Sequence, residues 1–435
     1  MSLTWRVPAL MLLGLVAVAV YPRGLTVVLW VAALVVLVVL DVLLAPSVRQ
    51  LSVVRRSTGS TRQGQPTDTV LEVDNAGSRR VRGTLRDAWQ PSAGATGNRH
   101  RLDVAGGGRT ELSTVLVPTR RGDRRTDRVT ARSRGPLGLA ARQTALQAPG
   151  TVRVLPPFHS RKHLPSRLAR LRELDGRSAV RVRGQGTEFD SLRAYVRGDD
   201  VRSIDWRATA RNQDVVVRTW QPERDRRVVL VLDTGRTSAG RVGRPGSEGA
   251  PRLDSAMDAA LLLAALAVRA GDRVDLVAGD RSVRSRVLGR HGSDVLGQLQ
   301  DTMAQLEPVL AETAWRRLVG AVDGLGRHRA LVVLLTPLEP SAVEQGLLPL
   351  IGPLTTRHRV VVASVRDPAL NEIARVRDDA TDAYHAAAAE HAVARRDATA
   401  RLLGALGVEV LDEDADRLPV ALADHYLALK ARGLL

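Results

Sequence analysis

The sequence predicts a multidomain chain: two transmembrane helices, a small β-sandwich, then an α/β domain with a mostly parallel sheet flanked by helices. Three observations carry this. Residues 3–45 are almost wholly apolar. Residues 47 to about 155 hold short strand-like runs separated by turn clusters. From Arg226 on, short apolar runs alternate with helical periodicity, the pattern of βαβ units.

The first element is a helical hairpin over residues 1–46. Leu3 to Tyr21 is apolar apart from Thr4 and Arg6, and Leu25 to Leu40 is almost all Val, Leu and Ala. About 20 apolar residues cross a bilayer. Pro22-Arg23-Gly24 makes the turn between them. A cleaved signal peptide fits poorly, because a second, longer apolar segment follows at once. Arg49, Arg55, Arg56 and Arg62 follow the hairpin, whereas its loop carries Arg23, so the positive-inside rule places both termini and the main domains in the cytoplasm, on the inner face of the plasma membrane.

The second element, residues 47–157, reads as the sandwich. Thr69–Val73 alternates, and Val81–Leu85, Glu111–Val117, Arg128–Ala131 and Ala145–Leu155 are further strand candidates. Arg121-Gly122-Asp123 reads as a charged turn, not an adhesion motif. Pro156-Pro157 marks a boundary, and residues 158–225 form a linker that opens with a basic amphipathic helix, Arg161–Leu174. The last element, residues 226–435, starts with the buried strand Val228–Asp233. Further strands are expected at Arg273–Ala278, Ser282–Leu288, Ala330–Thr336, Arg359–Val365 and Val408–Leu411, with helices between them.

The charge is unevenly spread. The chain carries a net +18, but residues 46–230 hold 37 Lys+Arg against 18 Asp+Glu, while residues 231–435 hold 25 against 27. Lys occurs at two positions, Lys162 and Lys430, so Arg enrichment is in part a bias of composition. The basic middle also suits the anionic inner leaflet. Nucleic acid is the competing polyanion, but aromatics are 3% of the chain, too few for stacking platforms. Cysteine is absent, which excludes disulfides, thiolate metal sites and Cys nucleophiles. GxxxxGK[ST], G-x-S-x-G and HExxH are absent too.

Two strand ends define a candidate site. Asp233-Thr234-Gly235-Arg236-Thr237 closes one strand and Thr336-Pro337-Leu338-Glu339 closes another. Carboxylates and hydroxyls at the carboxyl ends of a parallel sheet are oxygen donors suited to Mg²⁺ or Ca²⁺. An Asp there also serves simply to cap the following turn.

Between linker and sheet lies RGQGTEFDSLRAYVRGDDVRSIDWRATAR, starting at Arg183. Gly184, Gly186, Glu188, Phe189, Leu192, Arg193, Tyr195, Gly198, Asp199, Asp200, Arg202, Ile204, Asp205, Trp206, Ala208 and Arg211, followed by a buried strand ending in Asp, resemble the bacterial family catalogued as domain of unknown function fifty-eight. The part after this motif resembles a von Willebrand factor A-like domain. The resemblance implies a membrane-anchored, non-enzymatic adaptor acting beside a MoxR-type AAA+ ATPase in chaperone-like assembly of envelope or other complexes. It also implies an A-domain metal pattern, Asp-x-Ser-x-Ser with a later Thr and Asp. Asp233 matches, Gly235 replaces the first Ser, Thr237 stands for the second, Glu339 stands for the later Asp, and no Thr is placed. That is a degenerate Mg²⁺ site.

Within the motif, Asp205 is expected to pair with Arg202, Arg207 and Arg211 around Trp206. Arginine on every side lowers carboxylate pKa values, which suits ion pairing better than proton transfer. The alternative is a hydrolase using Asp199, Asp200 or Asp205.

Overall fold

The computed structural model describes residues 2–56, 59–181, 188–197, 199–211, 214–221, 226–243, 249–289, 294–326 and 328–435. The chain divides into two compact units, Met1–Leu155 and Pro156–Leu435.

The first unit contains helix α1 (Arg6–Val20), helix α2 (Gly24–Leu44) and two sheets. Among the described residues one helix, Gly24–Gln50, is long and apolar enough to cross a membrane, with mean hydropathy 3.1. The first apolar segment is shorter than its hydropathy suggests. Ser2–Leu3 leaves the helix to pair with Ala140–Ala141 of the β-domain, and α1 keeps 15 residues, short of the roughly 20 that span a bilayer. The larger sheet runs Ser2–Leu3, Ala140–Leu155, Gly122–Arg134, Val81–Asp87 and Arg99–Val104, with Ser60–Arg62 also on Ala140–Leu155. The smaller sheet runs Leu51–Arg55, Thr67–Asn75, Arg109–Leu116 and Ala95–Thr96. Alternate residues of both, Leu71, Val73, Leu85, Leu102, Val129 and Ala131 among them, form one core. Arg121-Gly122-Asp123 lies at a strand start, where Asp123 pairs with Arg153 at 2.9 Å.

In the second unit, helix Leu164–Arg181 and a two-stranded ribbon, Glu188–Ala194 with Val216–Gln221, precede a six-stranded sheet. The sheet order is Val283–Val287, Arg273–Gly279, Arg227–Asp233, Leu331–Leu335, Arg359–Arg366 and Glu409–Asp414. Every neighbouring pair is parallel except Val283–Val287 against Arg273–Gly279. Numbered along the chain this is 3-2-1-4-5-6, the doubly wound order. The inner strands are fully buried because helices cover both faces. Arg252–Arg269 and Leu418–Ala431 pack on one face, around Tyr426 and Leu262, and Trp315–Asp323 and Leu348–Arg357 on the other, around Leu347 and Ile351. The strand order reverses between Arg227–Asp233 and Leu331–Leu335, so their carboxyl ends open the crevice where such sheets place ligands.

Candidate functional site

Asp233 ends the first strand at that crevice and is 1% exposed. Its Oδ1 accepts the Gly235 N–H at 2.8 Å and the Thr313 hydroxyl at 2.5 Å. Its Oδ2 accepts the hydroxyls of Thr336 at 2.7 Å and Thr237 at 3.3 Å. The two strand ends therefore meet as the sequence suggests, through Thr336 and not through Glu339, whose carboxylate faces Arg252 at 3.4 Å.

Thr313 lies 80 residues from Asp233 and has no spacing signature. It arrives because its loop is stitched to the Asp233 loop by backbone bonds, Val309 N–H to Thr234 O at 2.8 Å and Arg236 N–H to Ala311 O at 2.9 Å. Gly235 makes room for it. A Cβ at 235 would sit 2.1 Å from the Thr313 hydroxyl and 2.9 Å from the Ala311 carbonyl. The serine of the A-domain pattern has no place there.

The donor set is thus one carboxylate and three hydroxyls. Mg²⁺ wants near-octahedral oxygen coordination anchored by carboxylates. With Glu339 turned to Arg252 and the 235 seat filled, the residues present do not make that site. Among the described residues, no group of three His, Asp or Glu side chains is placed to hold a metal. What the geometry does is tie three loops to one carboxyl. Beside it lies a polar pocket of about 260 Å³, lined by Arg236, Thr237, Thr313, Trp315, Ser341 and Gln345 together with Asp233.

Burial pushes the Asp233 carboxyl above its ordinary value, against the opposing pull of the Thr313, Gly235, Thr336 and Thr237 donors. A native pKa raised above the unfolded one favours the protonated native state. The contribution is therefore full below the unfolded Asp value of about 3.9 and is lost as pH rises through the native value. Asp258 and Asp272 shift the same way, also through burial. Asp233→Asn is expected to flatten the stability–pH curve from about pH 4 upward, and urea titration of both proteins across that range checks it. Parallel curves would remove Asp233 from the account. Mg²⁺ at millimolar concentration is expected to leave the unfolding midpoint of either protein unchanged.

The second cluster is the ribbon. Arg193 makes a two-pronged pair with Asp199, at 2.6 and 2.8 Å, and the Val196 N–H donates to the same carboxylate at 2.9 Å. Asp200 caps the following turn by accepting the Arg202 N–H at 2.9 Å. Asp205 caps the short helix Trp206–Thr209, accepting the N–H groups of Arg207 at 3.0 Å and Ala208 at 2.9 Å. Its other oxygen meets Arg218, not Arg202, Arg207 or Arg211, at 2.8 Å. The Ala208 N–H and then Arg218 hold the Asp205 carboxyl below its usual range. Arg218 comes from the second ribbon strand, where Leu192 faces it, a cross-strand pairing that local spacing does not reveal.

Trp206 is not wrapped by arginines. It is 69% exposed, and Val196, Val201 and Leu192 are exposed on the same ribbon and its turns. Tyr195 is half-buried, with its N–H bonded to Val215 O at 2.7 Å. Arg211 is exposed. Gly184, Gly186 and Gly198 lie outside the described residues, as do the side chains of Glu188 and Phe189, whose backbone forms the first ribbon strand.

Residues 191–402 match the family model described as "Protein of unknown function DUF58". The uncharacterized protein Rv1480 of Mycobacterium tuberculosis and the uncharacterized protein Mb1516 of Mycobacterium bovis are each 27% identical over 274 residues, spanning 58% of this chain and 83% of the relative. Among solved structures, the PapD-like domain 7 of human CEP192 aligns with 24% of this chain and 84% of its own, at 15% identity and a TM-score of 0.17. The CARDB domain of PF1109 from Pyrococcus furiosus aligns with 24% of this chain and 94% of its own, at 16% identity and a TM-score of 0.18. The stretch from the Asp–Arg ribbon through the Asp233 strand end into the last long helix, residues 191–402, is therefore the part of this chain that matches the family of unknown function DUF58.

Proposed function

We propose that this protein is a non-enzymatic membrane adaptor whose α/β domain, of von Willebrand factor A-like type, docks a protein partner through the ribbon around Trp206. One observation carries the reading: Asp199, Asp200 and Asp205 are each held by an arginine or by backbone N–H groups, while the apolar residues between them face solvent. Carboxylates committed as caps and ion pairs, with the Asp205 carboxyl held below its usual range by the Ala208 N–H and Arg218, are poor general acids, which weighs against a hydrolase. An exposed Trp on a ribbon that also exposes apolar side chains beside ion-paired ones has the composition of a binding hot spot. The partner class is a MoxR-type AAA+ ATPase, and the adaptor would hold it at the cytoplasmic leaflet for assembly of envelope or other complexes. The apolar helix Gly24–Gln50 supports the tether. The basic first unit would then face anionic lipid, not nucleic acid.

Crosslinking and capture of the detergent-extracted full chain, read by mass spectrometry, tests this. Trp206→Ala is expected to leave the unfolding midpoint unchanged, because the side chain is exposed, and to cut capture of the ATPase at least tenfold. Asp199→Ala and Asp205→Ala should weaken capture too, by loosening the ribbon. Equal capture by wild type and all three variants rules the ribbon out as the docking surface.

A further inference from the structure

Asp41 is a carboxylate in the last turn of an otherwise apolar helix, and it is fully buried. Such a residue persists only where donors compensate its desolvation. Here the donors come from the β-domain. Asp41 Oδ1 accepts the Leu137 N–H at 2.7 Å, and Oδ2 accepts the N–H groups of Leu139 at 2.7 Å and Ala140 at 2.8 Å. Gly135 permits the approach, since a Cβ there would sit 2.2 Å from Asp41 Oδ1.

The remaining contacts close the joint from both sides. The α2 carbonyls of Leu44 and Leu43 accept from Arg79 at 2.6 Å and Arg142 at 3.5 Å, cations where the helix leaves its carbonyls unpaired. At the start of α1, the Thr4 hydroxyl donates to Gly138 O at 2.8 Å and Arg6 to Leu137 O at 2.9 Å. Both outer helix ends thus grip one connection, residues 135–139, and the domain meets the hairpin without a flexible linker. On the same rim, Leu3, Trp5 and Leu137 are exposed, Trp5 by 78%, beside exposed Arg6, Arg79 and Arg134. Folding of the domain gives no reason for apolar side chains there. Trp and Arg at the end of an apolar helix are what the bilayer interface selects.

We propose that connection 135–139, with Leu3, Trp5 and Leu137, lies in the membrane interface, and that Arg6, Arg79, Arg134 and Arg142 bind phosphates of anionic phospholipids there. This rests on the membrane tether proposed above. The β-domain would then sit directly on the bilayer in a fixed orientation.

Because the chain has no cysteine, single-cysteine labelling is clean. Leu137→Cys and, as a reference in mid-helix, Val35→Cys are nitroxide-labelled in the full chain and reconstituted into phosphatidylcholine–phosphatidylglycerol vesicles. Both labels are expected to relax faster with oxygen than with a water-soluble nickel chelate. If the Val35 label is in lipid but the Leu137 label is in water, this proposal is wrong and the tether survives. If both are in water, the tether itself fails. For the phosphate contacts, the double variant Arg134→Gln/Arg142→Gln is expected to lose about tenfold of the phosphatidylglycerol enrichment seen on purification in mixed-lipid nanodiscs. Unchanged enrichment overturns the lipid-binding part.

Discussion

Asp275→Ala is expected to destabilise the α/β domain by about 3–5 kcal/mol. Asp275 sits on the strand beside Arg227–Asp233 and is fully buried. It pairs with the Arg227 guanidinium, meets Arg273 at 3.4 Å, and accepts the Gly289 N–H at 2.9 Å. The Arg227 side chain is 8% exposed and also donates to Leu325 O at 2.6 Å. Removing the carboxylate leaves a buried guanidinium without its counter-ion and a buried N–H without an acceptor. Each is costly, and the guanidinium cannot escape by losing its proton. Asp275→Asn keeps an acceptor for Gly289 and should fall between. Hydrogen exchange read by mass spectrometry over Val228–Leu232, in the detergent-solubilised full chain, measures the loss where the sheet reports it. A change below 1 kcal/mol for the alanine variant would mean that water reaches Arg227 and screens it.

Such a pair also shows what the sequence concealed. The strand Val228–Asp233 was legible because an unbroken apolar run ending in a carboxylate has few other readings. The first Asp of the site and the hydroxyl at Thr237 followed from adjacency along the chain. Thr313 did not, because long-range backbone bonds bring it in and no local pattern marks a loop that will be stitched to another. Glu339 illustrates the converse: residue type suggested a ligand, but Arg252 offers it a charge partner. Arg99–Val104 escaped as a strand because its outward positions are Arg, Arg and Asp, with Leu102 and Val104 as its inward signal. Hydropathy alone overstated the first helix, since nothing in Ser2–Leu3 announces pairing with residues far along the chain.

Arg55→Ala is expected to cost the β-domain about 3–5 kcal/mol, enough to abolish or nearly abolish its folded state at 37 °C. Arg55 and Asp87 form a two-pronged ion pair at 2.7 and 3.0 Å with side chains 2% and 0% exposed. Arg55 ends a strand of the smaller sheet and also donates to Thr69 of that sheet at 2.9 Å. Asp87 ends a strand of the larger sheet, whose Ala148 carbonyl accepts from Arg55 at 3.3 Å. The guanidinium lies 4.9 Å from the Trp89 ring centre, and the Trp89 indole N–H donates to Asp87 at 3.0 Å. One buried pair therefore joins both sheets and an aromatic lid. Truncating Arg55 strands the Asp87 carboxylate with the indole N–H, far short of its desolvation cost. The double variant Arg55→Met/Asp87→Leu removes both charges and keeps the volume, so it should lie within about 2 kcal/mol of wild type, the residual reflecting the abandoned partners Thr69, Ala148 and Trp89. Hydrogen exchange at Val81–Asp87 in the full chain measures both. A large single cost with a small double cost means that the pair fixes which faces the two sheets present to each other and adds little net stability. Equal costs would mean that the cation over Trp89 and its neutral partners, not the charge pair, hold the sandwich closed.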